Sequence, residues 1–227
     1  GAGGDVTPPT VPSGVQASSV SQDSVRLDWS ASEDNLLMGG YRIYRNTAHL
    51  GTTPLTSYTD NGLASATTYS YRISALDWRG NESEKSTTLF VATSDGTAPS
   101  VPQNLQGTAV SISRIDLAWT ASTDNLGVTG YRIYRDGAVI GTTAATNFSD
   151  TGLTEYTSYA YRVTAIDAQG NESGLSSTLT ATTADGTPPS VPSNLQGTAA
   201  STSRIDLTST ASTDNAGVPG YRVGRAG

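Results

Sequence analysis

The chain contains 227 residues, with 20 acidic and 13 basic side chains, one histidine and no cysteine. Without cysteine it can form no disulfide, no thiolate metal site and no cysteine nucleophile. The net charge of −7, with no basic stripe, argues against nucleic-acid binding, because phosphate backbones are held by Lys and Arg. No apolar run approaches the roughly 20 residues that a membrane-spanning helix needs. We therefore expect neither nucleic-acid binding nor membrane insertion.

The dominant feature of the sequence is a repeat with a period of 90 residues. The openings TPPTVP at residue 7, TAPSVP at 97 and TPPSVP at 187 follow this period, and so do Tyr41, Tyr131 and Tyr221. Ninety residues are enough for a small autonomous domain, whereas solenoid repeats span about 20–50. The period predicts complete repeats at 7–96 and 97–186 and a truncated, degenerate repeat at 187–227. Residues 1–6, with the run GAGG, are assigned to a linker or cloning scar.

Apolar residues alternate with polar ones within each repeat, which indicates strands with one buried face. In RIDLAW of the second repeat, Ile115, Leu117 and Trp119 share one face. In the following GYRIYR, Tyr131 and Ile133 share one face in the same way. We therefore place these residues in a core.

A longer alternating run, YTSYAYRVTAID, occupies residues 156–167. It predicts that Tyr159, Tyr161 and Val163 face inward, and that Arg162 and Thr164 face outward. Turn signals such as TDN, DG and GN separate the alternating runs. We expect about seven strands in each complete repeat, no helix, and two packed antiparallel sheets.

These segments together resemble the fibronectin type III family. The resemblance rests on the entry PSVPQNL, on Trp119 in the second strand, on GYRIYR in the third, and on LTEYTSYAYRVTAID. In the last segment, Leu153, Thr157 and Tyr159 are similar to the family's tyrosine corner, in which the Tyr hydroxyl bonds to nearby backbone. The resemblance implies an all-β chain of tandem, immunoglobulin-like, seven-stranded β-sandwiches, arranged as beads on a string. The core residues that it implies are Trp29, Tyr41, Tyr69, Trp119, Tyr131 and Tyr159.

Outward-facing aromatic residues are the candidate ligand contacts. Tyr44 and Tyr134 are expected on the exposed face of the sheet formed by strands C, F and G, beside Arg72 and Arg162. There they could stack on sugar rings or form cross-strand packing pairs. Trp78 lies in the loop between strands F and G, where it could contact a ligand or fold over an adjacent domain.

No converging set of catalytic groups is recognisable in the sequence. It lacks the G-x-S-x-G and H-E-x-x-H motifs, and its only histidine, His49, is expected in an exposed turn after strand C. The carboxylates of Asp116 and Asp167 are expected to face solvent on a sandwich too small for a deep cleft. A calcium site formed by Asp124 with the acidic loop at the same pole matches no known ligand spacing. We predict no enzyme activity, cofactor or metal site in these repeats, although they could be a fragment of a larger glycoside hydrolase.

The third repeat departs from the second at core positions. Ser209 stands where Trp119 is expected, and Gly224 stands where Tyr134 is expected. Three strands without large core residues cannot bury enough surface to fold alone. We expect residues 187–227 to be poorly packed or to be completed by strands from another chain.

The variant of the strand C motif and its Ala/Thr/Ser-rich flanks are similar to fibronectin modules of secreted bacterial chitinases, cellulases and other polysaccharide hydrolases. This resemblance implies a non-catalytic spacer in an extracellular bacterial protein, with covalently linked catalytic or binding domains as its partners. The linkers SDGTAPSVP and ADGTPPSVP fit that role, because proline favours stiff, extended backbone. Two alternatives stay open. One is a carbohydrate-binding module that uses the exposed aromatics on insoluble polysaccharide, and the other is a cell-surface adhesin or virion fibre segment that mediates protein contacts.

Overall fold

A computed structural model of the chain describes residues 5–225. All regular elements in this range are strands, and the chain divides into two compact units. The first unit contains β1 (Ser13–Val20), β2 (Ser24–Ser30), β3 (Met38–Arg45), β4 (Ala48–Thr53), β5 (Ser57–Asn61), β6 (Thr68–Asp77) and β7 (Leu89–Ala92). The second unit contains β8 (Gln103–Ser111), β9 (Arg114–Thr120), β10 (Val128–Arg135), β11 (Ala138–Thr143), β12 (Asn147–Thr151), β13 (Ser158–Asp167), β14 (Leu179–Thr182), β15 (Ser193–Ser201) and β16 (Arg204–Thr210). Residues 5–225 include no helix long and apolar enough to cross a membrane.

Each unit contains a seven-stranded sandwich of two antiparallel sheets. In the first unit, a three-stranded sheet has the order β1-β2-β5 and a four-stranded sheet has the order β4-β3-β6-β7. In the second unit, β8, β9 and β12 form the three-stranded sheet and β11-β10-β13-β14 the four-stranded one. The predicted fold class is therefore confirmed, with one sandwich for each complete repeat.

The core of each sandwich lies between its two sheets. In the first unit Trp29 and Tyr41 are buried, with their ring centroids 5.3 Å apart in an edge-to-face arrangement. Trp119 and Tyr131 form the same pair at 5.3 Å in the second unit. Aromatic pairs with this geometry stabilise a core beyond the area that they bury. The remaining buried hydrophobic residues are Val25, Leu27, Ile43, Leu63, Tyr71, Ile73, Ala75 and Val91 in the first core, and Ile115, Leu117, Ile133, Leu153, Tyr161, Val163 and Ala165 in the second.

The tyrosine corner is present in both sandwiches. Tyr69 and Tyr159 are half-buried and pack against their cores. The backbone N–H of Ala64 donates to the Tyr69 hydroxyl at 2.9 Å, and that of Thr154 donates to the Tyr159 hydroxyl at 3.0 Å. Each corner thus fixes the chain where it crosses from the three-stranded sheet to the four-stranded sheet.

Three predictions of local environment were wrong in part. Thr164, predicted to face outward, is only 3% exposed, because its hydroxyl lies beneath Glu172 and donates to it at 2.5 Å. Asp167, expected to face solvent, is also 3% exposed, because the chain turns at Gly170 and returns to bridge Ile166 with Glu172. His49 is exposed as predicted, but it lies in strand β4 rather than in a turn.

The third repeat contributes a hairpin of β15 and β16 to the second unit. Ile205 and Leu207 are 66% and 48% exposed, whereas their counterparts Ile115 and Leu117 are fully buried in the second core. Residues 211–225 contain no regular strand, although the sequence motif there suggested strand C. In the second unit the corresponding strand, β10, pairs with β11 and β13, and no equivalent strand follows β16 within residues 211–225.

Candidate functional site

Tyr44, the first candidate contact residue, lies on the outer face of the four-stranded sheet of the first unit. It pairs with Arg72 across β3 and β6, as the alternation predicted. Its hydroxyl donates to Glu82 Oε1 at 2.7 Å. The Glu82 carboxylate also contacts the guanidinium of Arg42 and accepts from the Ser74 hydroxyl at 2.5 Å. Tyr44 is therefore held by a polar network on its own sheet.

The ionisation of this network follows from its contacts. Partial burial acts to raise the pKa of Glu82, but hydrogen bonds from Ser74 and Tyr44 and the charge of Arg42 outweigh it, so the pKa is lowered overall. Burial and the neighbouring Glu82 carboxylate raise the pKa of Tyr44. At neutral pH the carboxylate is thus an acceptor and the phenol a donor, which is the arrangement that their hydrogen bond requires.

The face of the Tyr44 ring is already occupied. The ammonium group of Lys85 lies 3.6 Å from the ring centroid, which is within cation–π range. Tyr44 and Lys85 both line a groove of about 220 Å³ that also contains Arg72, Thr88 and Phe90. A sugar ring that stacked on Tyr44 would have to displace Lys85.

Tyr134 occupies the equivalent position in the second unit. Its hydroxyl donates to Glu172 Oε1 at 2.9 Å, and Glu172 also contacts the guanidinium of Arg132. Leu175 stands where the first unit has Lys85. Tyr134 and Leu175 line a groove of about 390 Å³. This groove is larger than its counterpart and has an apolar wall in place of the ammonium group.

Trp78, the third candidate, is 61% exposed in the loop after β6. The guanidinium of Arg79 lies 5.0 Å from the centroid of the Trp78 ring. The backbone N–H of Trp78 donates to the Leu37 carbonyl at 3.0 Å. Leu37 lies immediately before β3, so Trp78 and Tyr44 are separated by most of the length of that strand, roughly 20 Å at 3.3 Å per residue. The structure does not bring these two aromatics of the first unit into one site.

The sequence analysis did not identify the glutamate at the centre of each polar network around Tyr44 and Tyr134. Glu82 and Glu172 follow Asn in the repeated segment GNES, and each contacts side chains about 40 positions earlier in the chain. The available signal was that GNES is identical in both repeats while the two residues before it differ, WR in the first and AQ in the second.

Three aspartates form a separate cluster at one pole of the first sandwich. Asp5 precedes β1, Asp34 lies between β2 and β3, and Asp77 ends β6. Each contributes a carboxylate oxygen, and the three oxygens lie within 4.8 Å of one another. Oxygen atoms at this spacing are suited to a hard divalent cation.

The fold and these contacts agree with comparisons to known proteins. The family model of the Fibronectin type III domain matches residues 8–91 and 100–182. The chain therefore belongs to the fibronectin type III family.

Individual relatives give a narrower comparison. The chain is 40% identical to Exoglucanase B of Cellulomonas fimi, in an alignment that covers 97% of this chain and 22% of the relative. It is 42% identical to Chitinase A1 of Niallia circulans, over 79% of this chain and 26% of the relative. It is 54% identical to an Alpha-amylase of Niallia circulans, over 42% of this chain and 7% of the relative. The chain thus spans about a quarter or less of the length of each of these curated relatives.

Proposed function

We propose that the chain is a non-catalytic spacer segment of a secreted bacterial polysaccharide-degrading enzyme, and that it sets the distance between other domains of the same polypeptide. The observation that carries the proposal is the similarity of nearly the whole chain to about a quarter of an exoglucanase. The part of the exoglucanase that aligns with this chain corresponds to two sandwiches. We therefore assign the hydrolytic activity that the relative's name states to the rest of that protein. The partners of the chain are then its covalent neighbours.

The polar groups of the sandwiches support a structural role. The buried carboxylates of Asp60 and Asp150 are each paired with an arginine of the same unit. Glu82 and Glu172 are likewise held by arginine, tyrosine and hydroxyl donors. General acid–base catalysis needs a carboxyl group aimed at a substrate, and these four are aimed at the protein itself.

The mechanism that we propose is positional. Each sandwich has a self-contained core, and the proline-rich segments between the repeats favour extended backbone. Two such domains in series keep a catalytic domain and a polymer-binding domain from collapsing onto each other, and they limit the angles available to both. An extracellular location follows from the same proposal, because insoluble polysaccharides lie outside the cell.

A retention assay on insoluble polymers tests the spacer role. The chain is incubated with chitin, cellulose, xylan and starch, beside a Tyr44→Ala, Trp78→Ala, Tyr134→Ala triple variant. Tyr156→Ala serves as the matched control, because Tyr156 is an exposed aromatic that lines neither groove. We expect retention on none of the polymers. If the wild type and the control are retained on a polymer and the triple variant is not, the chain is a carbohydrate-binding module and the spacer proposal is wrong.

A deletion within the hydrolase that carries this segment tests the positional mechanism directly. Residues 7–186 are exchanged for a flexible Gly/Ser linker, and hydrolysis is measured on a soluble oligosaccharide and on the insoluble polymer. We expect unchanged kcat/KM on the soluble substrate and slower hydrolysis of the insoluble one. A loss of activity on the soluble substrate would contradict a purely positional role.

A second candidate function is carbohydrate binding at the Tyr134 groove. The observation that favours it is the replacement of Lys85 by Leu175, which gives the second unit an aromatic and an apolar wall beside Arg162. Sugar rings present such apolar faces together with hydroxyl groups that arginine can bind. If the Tyr134 groove binds carbohydrate, Tyr134→Ala alone should abolish retention on the polymer, as the triple variant does, and Tyr44→Ala should leave retention unchanged.

A further inference from the structure

The acidic cluster of the first unit is assembled from three distant segments. Asp5 comes from the lead-in to β1, Asp34 from the loop between β2 and β3, and Asp77 from the end of β6. Their closest carboxylate oxygens lie within 4.8 Å of one another. Like charges at this separation repel each other unless something between them offsets the repulsion.

Two oxygen atoms of the cluster are buried and lack a partner. Oδ2 of Asp5 and Oδ1 of Asp34 are shielded from solvent, and within residues 5–225 neither accepts a hydrogen bond. The other oxygen of each carboxylate is used, since Asp5 Oδ1 accepts from the Thr7 N–H at 3.0 Å and Asp34 Oδ2 from the Leu36 N–H at 2.8 Å. A buried carboxylate oxygen without a partner is costly. Coordination to a cation would remove that cost.

Asp77 supplies the most deeply buried carboxylate of the cluster, at 3% exposure. Its Oδ1 accepts from the Asn81 backbone N–H at 2.8 Å, and its Oδ2 accepts from the Asn81 side-chain amide at 2.6 Å. In the part of the chain that the structure describes, none of the three aspartates forms a salt bridge to Lys, Arg or His. The negative charge of the cluster is therefore not neutralised by protein side chains.

From these contacts we infer that Asp5, Asp34 and Asp77 form a calcium-binding site. Ca²⁺ takes oxygen ligands at about 2.3–2.6 Å, so two oxygens on opposite sides of one ion lie up to about 5 Å apart. The spacing of the cluster falls within this range, and Ca²⁺ accepts irregular shells of carboxylate oxygens, whereas Mg²⁺ demands near-octahedral geometry and keeps several of its waters. Zinc and copper favour nitrogen and sulfur ligands, and the chain has no cysteine and a single histidine, which lies in β4. The bound ion would tie the lead-in segment to two loops of the sandwich.

The sequence of the second repeat retains the same three residue types. Asp95, Asp124 and Asp167 follow Asp5, Asp34 and Asp77 at the repeat period. Some loop positions near them change, from LM at 37–38 to GV at 127–128 and from WR at 78–79 to AQ at 168–169, although Asn35 and Leu36 are retained as Asn125 and Leu126. Solvated loop positions are expected to vary in this way. The three aspartates of the first unit are therefore retained as residue types in the second repeat.

Terbium luminescence tests the site in the whole chain. Tb³⁺ is a calcium surrogate that emits when an excited tryptophan lies nearby, and Trp78 follows Asp77 directly in the sequence. The equivalent residue of the second repeat is Ala168, so emission that depends on Trp78 reports on the first unit alone. After treatment with EDTA, we expect the chain to sensitise Tb³⁺, and we expect Ca²⁺ to abolish the signal at lower concentrations than Mg²⁺. Trp78→Phe should remove the emission.

Single variants decide whether the aspartates hold the ion. Asp34→Asn and Asp5→Asn should each lose the emission, whereas Glu33→Gln, a neighbouring exposed carboxylate with the same change of charge, should keep it. Thermal unfolding checks that each variant is folded. In the same experiment, 1 mM Ca²⁺ should raise the Tm of the wild type more than that of Asp34→Asn. This concentration is about a thousandfold above the Kd of a site that binds Ca²⁺ with micromolar affinity. Emission that survives in Asp34→Asn, or that Mg²⁺ and Ca²⁺ displace equally, would overturn the calcium assignment. Absence of sensitised emission together with an unchanged Tm would do the same.

Discussion

The phenol of Tyr71 donates a hydrogen bond of 2.8 Å to Oδ2 of Asp60 within the core of the first sandwich. Tyr71 is fully buried and Asp60 nearly so, and the Arg45 guanidinium contacts both oxygens of the same carboxylate at 3.0 Å. Burial and the adjacent Asp60 charge raise the pKa of Tyr71. The second unit contains the same trio, formed by Tyr161, Asp150 and Arg135. A buried carboxylate is tolerated here because two donors satisfy it.

Removing the carboxylate should cost more than removing the phenol. Asp60→Ala leaves Arg45 and the Tyr71 hydroxyl without their partner, and it should lower the free energy of unfolding by about 3 kcal/mol. Tyr71→Phe removes one hydrogen bond and leaves the ion pair, and it should cost about 1–2 kcal/mol. Urea denaturation monitored by tryptophan fluorescence measures both values. Asp28→Ala, which breaks an exposed pair with Arg26, is the control and should cost under about 1 kcal/mol. Equal losses for Asp60→Ala and Asp28→Ala would contradict the structural role of the buried trio.

The Glu82 network should make stability depend on pH in the acidic range. Because the pKa of Glu82 is lower in the folded state than its ordinary value of 4.5, the unfolded chain binds more protons at low pH. The stabilisation is complete above the unfolded pKa and is lost as the pH falls through the folded one. The same argument holds for Glu172, whose pKa is also lowered.

Denaturation at pH 6 and at pH 3 measures this dependence. A Glu82→Gln, Glu172→Gln double variant should be less stable than the wild type at pH 6 and should lose less stability on acidification. Glu33→Gln changes the same charge at an exposed position, and its pH dependence should run parallel to that of the wild type. If the double variant also runs parallel to the wild type, the two carboxylates do not contribute through their ionised forms.

The sequence predicted the cores well and the polar networks poorly, and the difference has a physical cause. The inward positions of Trp29, Tyr41 and their repeats follow from strand periodicity, which is local. Thr164 departs from the same rule, because the segment after β13 folds back and covers a position that alternation assigns to the outside. Asp167 follows the rule, since it shares the inward parity of Tyr161 and Val163 in β13, and the expectation that it faces solvent was wrong. The cover that Lys85 places over Tyr44 could not be foreseen either, since it depends on where the irregular segment before β7 runs across the sheet.

The tyrosine corner gives a matched test within one unit. Tyr69→Phe removes the acceptor of the Ala64 N–H and should lower the free energy of unfolding by about 1 kcal/mol. Tyr58 is also half-buried against the first core, but position 148 of the second repeat already carries Phe. Tyr58→Phe is therefore the control and should be nearly neutral, as measured by denaturant unfolding of both variants. A Tyr58→Phe loss as large as that of Tyr69→Phe would mean that the corner hydrogen bond adds nothing specific.

The two strands of the third repeat should be the first part of the chain to yield to a protease. The burial of Ile205 and Leu207 is much lower than that of Ile115 and Leu117, and Ser209 provides no substitute for the Trp119 side chain. The free energy of local unfolding depends on how much apolar surface a segment buries. The free energy needed to unfold β15 and β16 should therefore be a small fraction of that needed to unfold β8 and β9. Completion by strands from another chain would protect them.

Limited proteolysis with thermolysin at several protein concentrations distinguishes these outcomes. In a monomeric sample, cleavage should fall within residues 187–227 and leave a resistant fragment that ends near residue 186. Restoring the missing core residue with Ser209→Trp is the informative variant. It should slow cleavage only if the remaining strands of a sandwich are supplied by a second copy, and it should then act more strongly as concentration rises. Resistance of 187–227 in a sample shown to be monomeric by light scattering would contradict both forms of the prediction, because it would require these strands to be stable with Ile205 and Leu207 exposed.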